Sequence, residues 1–326
     1  MKRFFLALFL IFALWLAIDR SGAAIMWWLQ QHSQDTTSSK IKHIVENISA
    51  DVVLMGTSRC NGHYVPSILS DSLDMSVYNA GIDGSDNIFA QYMVLSYILQ
   101  YHTPKVVCME VQNSFLDEEE AAFLTTGYFA PYFGVCAEAD SVFRLAGTYS
   151  FYNLSHLFRY NTKVLAMITG QFKSHLDNEE HGYIPNPQPD TPPELTRWNT
   201  GQFHLSNEKS EYMEKFIQRC KERDIMLCFM ISPAFSIVDS TYYAQLKAFS
   251  ARYQIPLLDY HTSGYYLNHP DYFKDSYHLC DKGAQHYTSM FARSLKQLLI
   301  ALQGRLTPEA ISYRSLDSSD WTERGI

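Results

Sequence analysis

The chain has 326 residues, of which 47% are hydrophobic and 18% are charged, so it can bury a full core as one large domain with insertions or as two domains. Its formal net charge of −8 is mild and is spread along the sequence. No basic stripe is present that could bind phosphates, and we therefore expect no nucleic-acid partner.

The N-terminal segment, residues 1–30, is predicted to anchor the chain in a membrane. A positively charged start is followed by 15 uncharged, mostly apolar residues from Phe4 to Ile18, and then by Asp19 and Arg20. This run is shorter than the roughly 20 residues of a spanning helix, but it can continue into SGAAIMWWL, whose tryptophans suit a lipid–water boundary. No clear cleavage motif ends the run, which favours an uncleaved anchor over a signal peptide. The sequence thus predicts a cytoplasmic-membrane protein with its folded part on the periplasmic side.

The next segments alternate between two patterns. After a polar stretch predicted to be a linker (31–47), apolar runs of strand length occur at 51–55, 75–81, 105–111, 225–232 and 255–260. Helical patterns occur at 86–102, 207–224, 240–254 and 281–303. Continuous apolar runs are typical of strands that are covered on both faces. We predict a three-layer α/β/α sandwich with a parallel, flavodoxin-like sheet of about five strands, whose ligands bind beyond the carboxyl ends of the strands.

This domain is predicted to span residues 48–303, and one long segment interrupts it. Residues from about 115 to 205 contain many aromatic residues, a proline-rich stretch and no convincing strand. An insertion of this length predicts a helical cap with an irregular loop. The polar residues 304–326 are predicted to form a loosely held tail.

Two stretches supply candidate catalytic side chains. Ser58 directly follows the first predicted strand in DVVLMGTSR, although serine after glycine at a strand end is also common turn chemistry. Asp275 and His278, in DSYH, follow the last strand and precede the last helix. At this spacing a carboxylate can hold the imidazole Nδ1–H and leave Nε2 free to accept a proton from a serine. A surface turn with an incidental Asp and His would give the same short motif.

Two further strand ends supply candidate hydrogen-bond donors for an oxyanion. Gly81 and Gly84 lie in NAGIDGS after the second strand, where a glycine N–H can approach a substrate closely. Asn113 ends the third strand in EVQNS, and its amide can donate to the same oxygen. Taken singly, these residues are a loop glycine and a capping asparagine.

The order Ser, Gly, Asn and Asp-x-x-His resembles the four sequence blocks of the SGNH/GDSL hydrolase superfamily. The resemblance covers about residues 48–114 and 225–300, outside the cap. It implies that Ser58 is the nucleophile, that Asp275 and His278 complete the triad, and that Ser58, Gly84 (with Gly81 as the fallback) and Asn113 form the oxyanion hole. Thr57 replaces the usual Asp of the first block, and VQNS departs from Gly-x-Asn-Asp in the third.

The loose blocks behind an N-terminal anchor look most like the membrane-anchored branch that includes the DltD- and AlgX-type proteins. This likeness implies acyl transfer through an acyl-serine, without cofactor or metal. The implied substrates are O-acylated envelope glycans or lipids, and the implied partner is a membrane-bound O-acyltransferase.

Two other interpretations remain open. The stretch from 268 to 286 contains several side chains that could bind zinc: His269, Asp271, Asp275, His278, Cys280 and His286. Alternatively, the chain is a non-catalytic glycan-binding or scaffold protein that stacks sugars on the aromatic residues Tyr128, Phe129, Tyr132 and Phe133. A disulfide between Cys60 and Cys280 is conceivable, but free thiols are favoured.

Overall fold

The computed structural model describes residues 1–33, 35–118, 124–161, 164, 168, 181–198, 203–239, 241–262 and 264–305. These residues form two compact units. The first unit comprises Met1–Ile48, Tyr92–Tyr101 and the described part of Ala121–Asp177, and the second comprises Ser49–Gln91, His102–Glu120 and the described part of Asn178–Ile326. The predicted tail lies outside the described residues from position 306 onward, and so do parts of the predicted cap.

The second unit is built on a parallel sheet. The strands are β1 (Val52–Met55), β2 (Val77–Asn79), β3 (Val106–Glu110), β4 (Thr196–Trp198), β5 (Met226–Ile231), β6 (Ser236–Val238) and β7 (Leu257–Asp259). Five of them form one sheet in the order β2-β1-β3-β5-β7, in which all neighbours are parallel. Each of the five lies within a predicted strand, and the predicted α/β class with a parallel five-stranded sheet is confirmed.

Helices of both units make up much of the rest of the described chain. Their bounds are α1 (Lys2–Gln31), α2 (Thr36–Glu46), α3 (Ser58–His63), α4 (Pro66–Leu73), α5 (Ile88–Ile98), α6 (Ala137–Leu145), α7 (Tyr149–Leu154), α8 (Asn207–Lys221), α9 (Ala244–Tyr253) and α10 (Asp281–Ile300). Short 3-10 helices lie at Asn113–Phe115, Leu124–Tyr132, Leu157–Tyr160, Tyr265–Asn268 and Pro270–Tyr272, and a π-helical turn lies at Ala301–Arg305. The four helices predicted at 86–102, 207–224, 240–254 and 281–303 are all present.

Both faces of the sheet are covered within the second unit. Alternate residues of the strands pack against α4 and α10, whose apolar side chains, such as Leu69 and Phe291, are fully buried. α8 packs against β5, and Tyr212 of α8 meets Phe89 with ring centroids 5.0 Å apart. The apolar residues therefore run almost continuously through β1, β3 and β5, because both faces of these strands are buried.

Two short elements differ from the sequence-based predictions. The predicted linker contains α2, whose N-cap is Asp35: the Asp35 carboxylate accepts a hydrogen bond from the Ser38 N–H at 3.2 Å. The segment predicted to lack strands contains β4, which pairs in parallel with β6. The three residues of β4, of which the middle one is exposed and the other two are half-buried, are too few to establish a strand pattern in the sequence. An Asp cap in a polar stretch resembles a loop until its helix is seen.

The first unit contains α1, a helix long and apolar enough to cross a membrane. Signal sequences can have the same length and composition. In the same unit, aromatic residues of the predicted cap pack together, and Phe133 contacts the rings of Phe143 and Tyr152. Phe129, Tyr132 and Phe133 are buried, so three of the four residues considered as sugar-stacking faces cannot serve in that way.

Candidate active site

The chain turns sharply between β1 and α3, and Ser58 stands at this turn. Gly56 has a φ of +150°, and a Cβ there would lie 2.8 Å from the Cβ atoms of both Cys60 and Glu110, so only glycine fits. Ser58 is the first residue of α3. Its N–H is therefore one of the groups that have no acceptor within the helix. Ser58 itself is half-buried, so its hydroxyl remains reachable at the carboxyl end of β1.

The structure brings Ser58, His278 and Asp275 together. The Ser58 Oγ lies 2.8 Å from the His278 Nε2, and the His278 Nδ1 lies 2.9 and 3.0 Å from the two carboxylate oxygens of Asp275. A carboxylate can only accept, so the Nδ1 carries the hydrogen and the Nε2 presents its lone pair to the Ser58 hydroxyl. This is the arrangement that a serine nucleophile with a histidine base requires.

The Asp275 carboxylate also organises its own turn. It accepts hydrogen bonds from the backbone N–H groups of Tyr277 and His278, both at 2.8 Å. Partial burial acts to raise the pKa of Asp275, but the hydrogen bonds from the His278 ring and from these N–H groups outweigh it and lower the pKa. Asp275 is therefore held ionised, as a residue that stabilises an imidazolium must be.

A second histidine, His63, lies next to the His278 ring, with centroids 6.1 Å apart. Its Nε2 accepts a hydrogen bond from the Leu279 N–H at 2.9 Å, so its hydrogen must be on Nδ1, which donates to the Ser232 Oγ at 2.8 Å. Burial, together with the nearby Arg59 charge, holds the pKa of His63 well below its usual value. His63 is therefore neutral and fixed in one tautomer.

The hydrogen-bond network continues from Ser232 to a buried ion pair. The Ser232 hydroxyl donates to Glu110 at 2.8 Å, and the Arg59 Nε lies 3.3 Å from the same carboxylate oxygen. Tyr64 donates to the other carboxylate oxygen. Arg59 and Glu110 are both buried, so each charge depends on the other for compensation. Through His63, the network joins α3, which begins with Ser58, to the loop that contains His278.

No sequence motif predicts this network, but one charged residue in a buried strand indicates it. Glu110 ends an otherwise apolar strand that was predicted to be covered on both faces. A buried carboxylate in that position must be paired with a positive charge or with hydrogen-bond donors. Arg59, which follows the predicted nucleophile Ser58 in the chain, is the cation that the sequence offers nearest to this strand end.

The two glycines predicted as oxyanion donors differ in their surroundings. The Gly81 N–H donates to the Asn79 Oδ1 at 3.0 Å and is therefore occupied. A Cβ at Gly81 would lie 2.5 Å from the Asn61 N, so this glycine allows the loop to pack against α3. The Gly81 N–H thus has a partner within its own loop, and the lack of a side chain at Gly81 permits close packing.

Gly84 lies in an exposed turn of the same loop, with a φ of +72°. The loop is attached to the elements that hold Ser58: the Ile82 N–H donates to the Gly56 carbonyl at 3.0 Å, and the Asn61 amide donates to Asp83 at 2.7 Å. Gly84 is therefore presented by a loop that is fixed to both ends of the turn containing Ser58.

Asn113 opens the 3-10 helix after β3, and its amide is partly engaged. The Asn113 Nδ2 donates to the Tyr242 carbonyl at 2.6 Å, which leaves its second N–H for another acceptor. The preceding residue, Gln112, was not singled out from the sequence. Its amide donates to the Thr57 hydroxyl at 2.7 Å, directly before Ser58.

The remaining candidate residues of the sequence analysis have separate partners. Cys60 and Cys280 are both free thiols: the Cys60 Sγ lies 3.6 Å from the Asn79 Oδ1, and the Cys280 Sγ lies 2.9 Å from the Gln188 Oε1. Among the residues that the structure describes, no three His, Cys, Asp or Glu side chains are grouped so that they could hold a metal ion. In the stretch considered for zinc, Asp271 instead pairs with Lys282.

Comparisons with known proteins give fold-level likenesses. No family model matches the chain, and no curated protein matches it. Among solved structures, it is similar to a Desulfitobacterium hafniense protein assigned to the lipolytic G-D-S-L family (9% identity, 74% of this chain and 97% of the other, TM-score 0.37). It is also similar to a Bacteroides fragilis protein assigned as an acylhydrolase (14% identity, 78% of this chain and 94% of the other, TM-score 0.37). At these TM-scores the likenesses carry no argument about function, which depends on the site alone.

Proposed function

We propose that the protein is a serine esterase or O-acyltransferase of the SGNH type. The observation that carries this proposal is the unbroken line from the Ser58 hydroxyl through the His278 ring to the Asp275 carboxylate, with 2.8 Å between the Oγ and the Nε2. These residues come from two distant parts of the chain. Their convergence at the carboxyl edge of a parallel sheet supports a catalytic role over two incidental turns.

The reaction proceeds through an acyl-serine. His278 Nε2 takes the hydroxyl proton as the Ser58 Oγ attacks the ester carbonyl, and the proton then passes to the departing alcohol when the tetrahedral intermediate collapses. Water or a sugar hydroxyl attacks the acyl-serine in the second half, again giving its proton to His278. His278 then passes this proton to the Ser58 Oγ as the second tetrahedral intermediate collapses, which restores the free hydroxyl and completes the hydrolysis or acyl transfer.

The oxyanion of each intermediate needs donors that are already in place. We assign this role to the Ser58 and Gly84 backbone N–H groups and to the second amide N–H of Asn113. Loss of one such donor typically raises the barrier by about 3 kcal/mol. Support comes from the free position of the Ser58 N–H at the start of α3 and from the attachment of the Gly84 loop to that helix.

The proposed substrates are acetyl or longer acyl groups on envelope glycans or lipids. Tyr277, which lies between Asp275 and His278 in the chain, is 52% exposed and stacks on Trp198 with ring centroids 4.7 Å apart. Such an aromatic surface beside the reacting groups suits a sugar ring or an acyl chain. The apolar α1 supports a location at the cytoplasmic membrane with the catalytic unit on the periplasmic side, where a membrane-bound O-acyltransferase is the proposed partner.

Turnover of a small acetyl ester tests the proposal. Wild type is expected to release acetate, Ser58→Ala is expected to be inactive, and Ser289→Ala, on a helix surface, is the matched control that retains activity. A fluorophosphonate should abolish the wild-type activity, whereas a chelator should not. Equal turnover by wild type and Ser58→Ala would instead favour the non-catalytic alternative.

A further inference from the structure

An acidic side chain of α1 joins this helix to the segment after α7. Asp19 is 4% exposed, and its carboxylate accepts hydrogen bonds from the Ser155 hydroxyl and from the N–H groups of His156 and Leu157, the latter two at 3.0 and 3.1 Å. These N–H groups lie at the start of the 3-10 helix Leu157–Tyr160, where they have no partner within that helix. Arg20 lies 2.9 Å from the same carboxylate and balances its charge.

Apolar contacts extend this joint along α1. Leu157 lies so close to α1 that a Cβ on Gly22 would be 3.2 Å from its methyl carbons. Ala23, the next residue, and Met26, about one helical turn further, form a small buried cluster with Tyr160. The segment thus packs against the second half of α1 through both polar and apolar contacts, which is unlike a leader that is removed from a folded protein.

α7 and the segment after it also carry large apolar side chains that are exposed. Phe151 and Leu154 of α7 are 58% and 63% exposed, and Phe158 is 39% exposed. The rings of Phe151 and Phe158 lie 5.8 Å apart, and Leu154 lies three residues after Phe151 on α7, so that the two share one face of this helix. Three neighbouring side chains of this size are seldom left in water unless they serve as a contact surface.

The position of the contact along α1 indicates what covers this surface. A helix rises about 1.5 Å per residue, so a hydrocarbon core of about 30 Å that begins near Phe4 ends near Ala23. The Leu157–Gly22 contact therefore lies at the outer boundary of the core. Trp27 and Trp28 follow about 6 Å further along, at the level where tryptophan prefers the head groups.

We propose that Phe151, Leu154 and Phe158 form a second membrane-contact surface that enters the lipid bilayer beside α1. This proposal rests on the membrane anchoring by α1 that is proposed above. At this boundary water is scarcer than in solution, and the Asp19 carboxylate supplies an acceptor for the N–H groups of His156 and Leu157. The same contacts attach α1 to the rest of the first unit, so we expect α1 to be retained in the mature protein.

Depth-dependent fluorescence quenching on the full chain in lipid vesicles tests the proposal. An environment-sensitive fluorophore is attached to Leu154→Cys or Phe158→Cys, with Phe12→Cys as a probe within α1 and Glu211→Cys, on the charged face of α8, as the water-exposed control. The native cysteines are buried, so unmutated protein gives the background labelling. Nitroxide-bearing lipids are expected to quench the probes at 154 and 158 several-fold more than the probe at 211, with a blue-shifted emission.

Two outcomes overturn the proposal, and they differ in kind. If the probe at 12 is quenched while those at 154 and 158 behave like the probe at 211, α1 is embedded and the second surface is not. If none is quenched, or if the intact mass of the protein purified from membranes lacks α1, the anchor itself is wrong. Esterase activity of the same preparations reports on Ser58 independently, so neither outcome is confused with failure of the proposed chemistry.

Discussion

The Nε2 atom of His63 accepts a hydrogen bond from the backbone N–H of Leu279, the residue that follows His278. His63 lies at the end of the six-residue helix that Ser58 begins. One short helix therefore holds the serine at its first residue and fixes the loop of the opposing histidine at its last. The distance between the Ser58 Oγ and the His278 Nε2 depends on this second, buried histidine as well as on the Asp275 carboxylate.

Replacement of His63 tests this dependence. In His63→Phe the Leu279 N–H loses its acceptor, and an unsatisfied buried group of this kind costs about 1–3 kcal/mol, whereas the Ser232 hydroxyl keeps its hydrogen bond to Glu110. We expect a lower free energy of unfolding in urea, and a fall in kcat that is larger than the change in KM, because the loop of His278 is no longer fixed. His63→Gln, whose amide can both accept and donate, should recover part of both. A folded His63→Phe protein with unchanged kcat would remove the positioning role.

Acid should destabilise the protein through its buried histidines. Burial and the Arg59 charge lower the pKa of His261 to about 4, and burial likewise lowers the pKa of His63. Below about pH 6.5 the unfolded chain binds protons at these positions and the folded chain does not, so stability falls as the pH falls. For His261 the full loss is about 3 kcal/mol, reached near pH 4. Urea unfolding at several pH values should show a shallower pH dependence in His261→Gln, and an equally steep one would contradict this assignment.

Asp275→Asn should leave the fold intact and damage the reaction. An amide can donate to the His278 Nδ1, which favours the wrong imidazole tautomer and turns a hydrogen towards Ser58. By analogy with the well-studied serine protease triad, we expect kcat to fall by about 10³–10⁴-fold, with near-normal unfolding in urea. A loss below about tenfold would show that Asp275 does not control the tautomer.

Removal of one partner of the ion pair between Arg59 and Glu110 should strongly lower the free energy of unfolding. Glu110→Ala leaves a buried guanidinium without its carboxylate, and we expect a loss of about 3–5 kcal/mol in the free energy of unfolding. The surface pair of exposed Lys105 and half-buried Asp51, 2.8 Å apart, is the control, for which Lys105→Ala should cost about 1 kcal/mol or less. Equal effects of the two substitutions would mean that the buried network is not needed for stability.

Kinetics can distinguish the roles of the neighbouring side-chain amides of Asn113 and Gln112. Asn113→Ala should lower kcat by about 100-fold if its second N–H serves the oxyanion, whereas Gln112→Ala should act more weakly, through the Thr57 contact that adjoins Ser58. Ester turnover by the two variants distinguishes the roles. If Gln112→Ala has the larger effect, the donor role moves from Asn113 to Gln112.

The sheet could be predicted because its strands are buried on both faces. Residues 106–109 of β3 and the neighbouring strand β1 show this burial directly as unbroken apolar runs, and the residues at their carboxyl ends follow from the parallel order. Ser58 and the Asp275–His278 pair could be proposed for the same reason: each lies where a strand or its loop ends. Their mutual distances could not be predicted from the sequence.

Other features depend on contacts that no local pattern encodes. Gly81 and Gly84 look equivalent in NAGIDGS, and only the Asn79 side chain, which occupies the Gly81 N–H, separates them. His63 lies in a stretch without any motif, and its role depends on Leu279, more than 200 positions away. β4 is too short to be recognised without its partner β6.

Labelling with a fluorophosphonate followed by intact-mass and peptide mass spectrometry tests the central claim most directly. We expect one adduct per chain on Ser58 in the wild type, none in Ser58→Ala, and strongly slowed labelling in His278→Ala. A folded wild-type protein that remains unlabelled, or that takes up the probe at another residue, would contradict the assignment of Ser58 as the nucleophile.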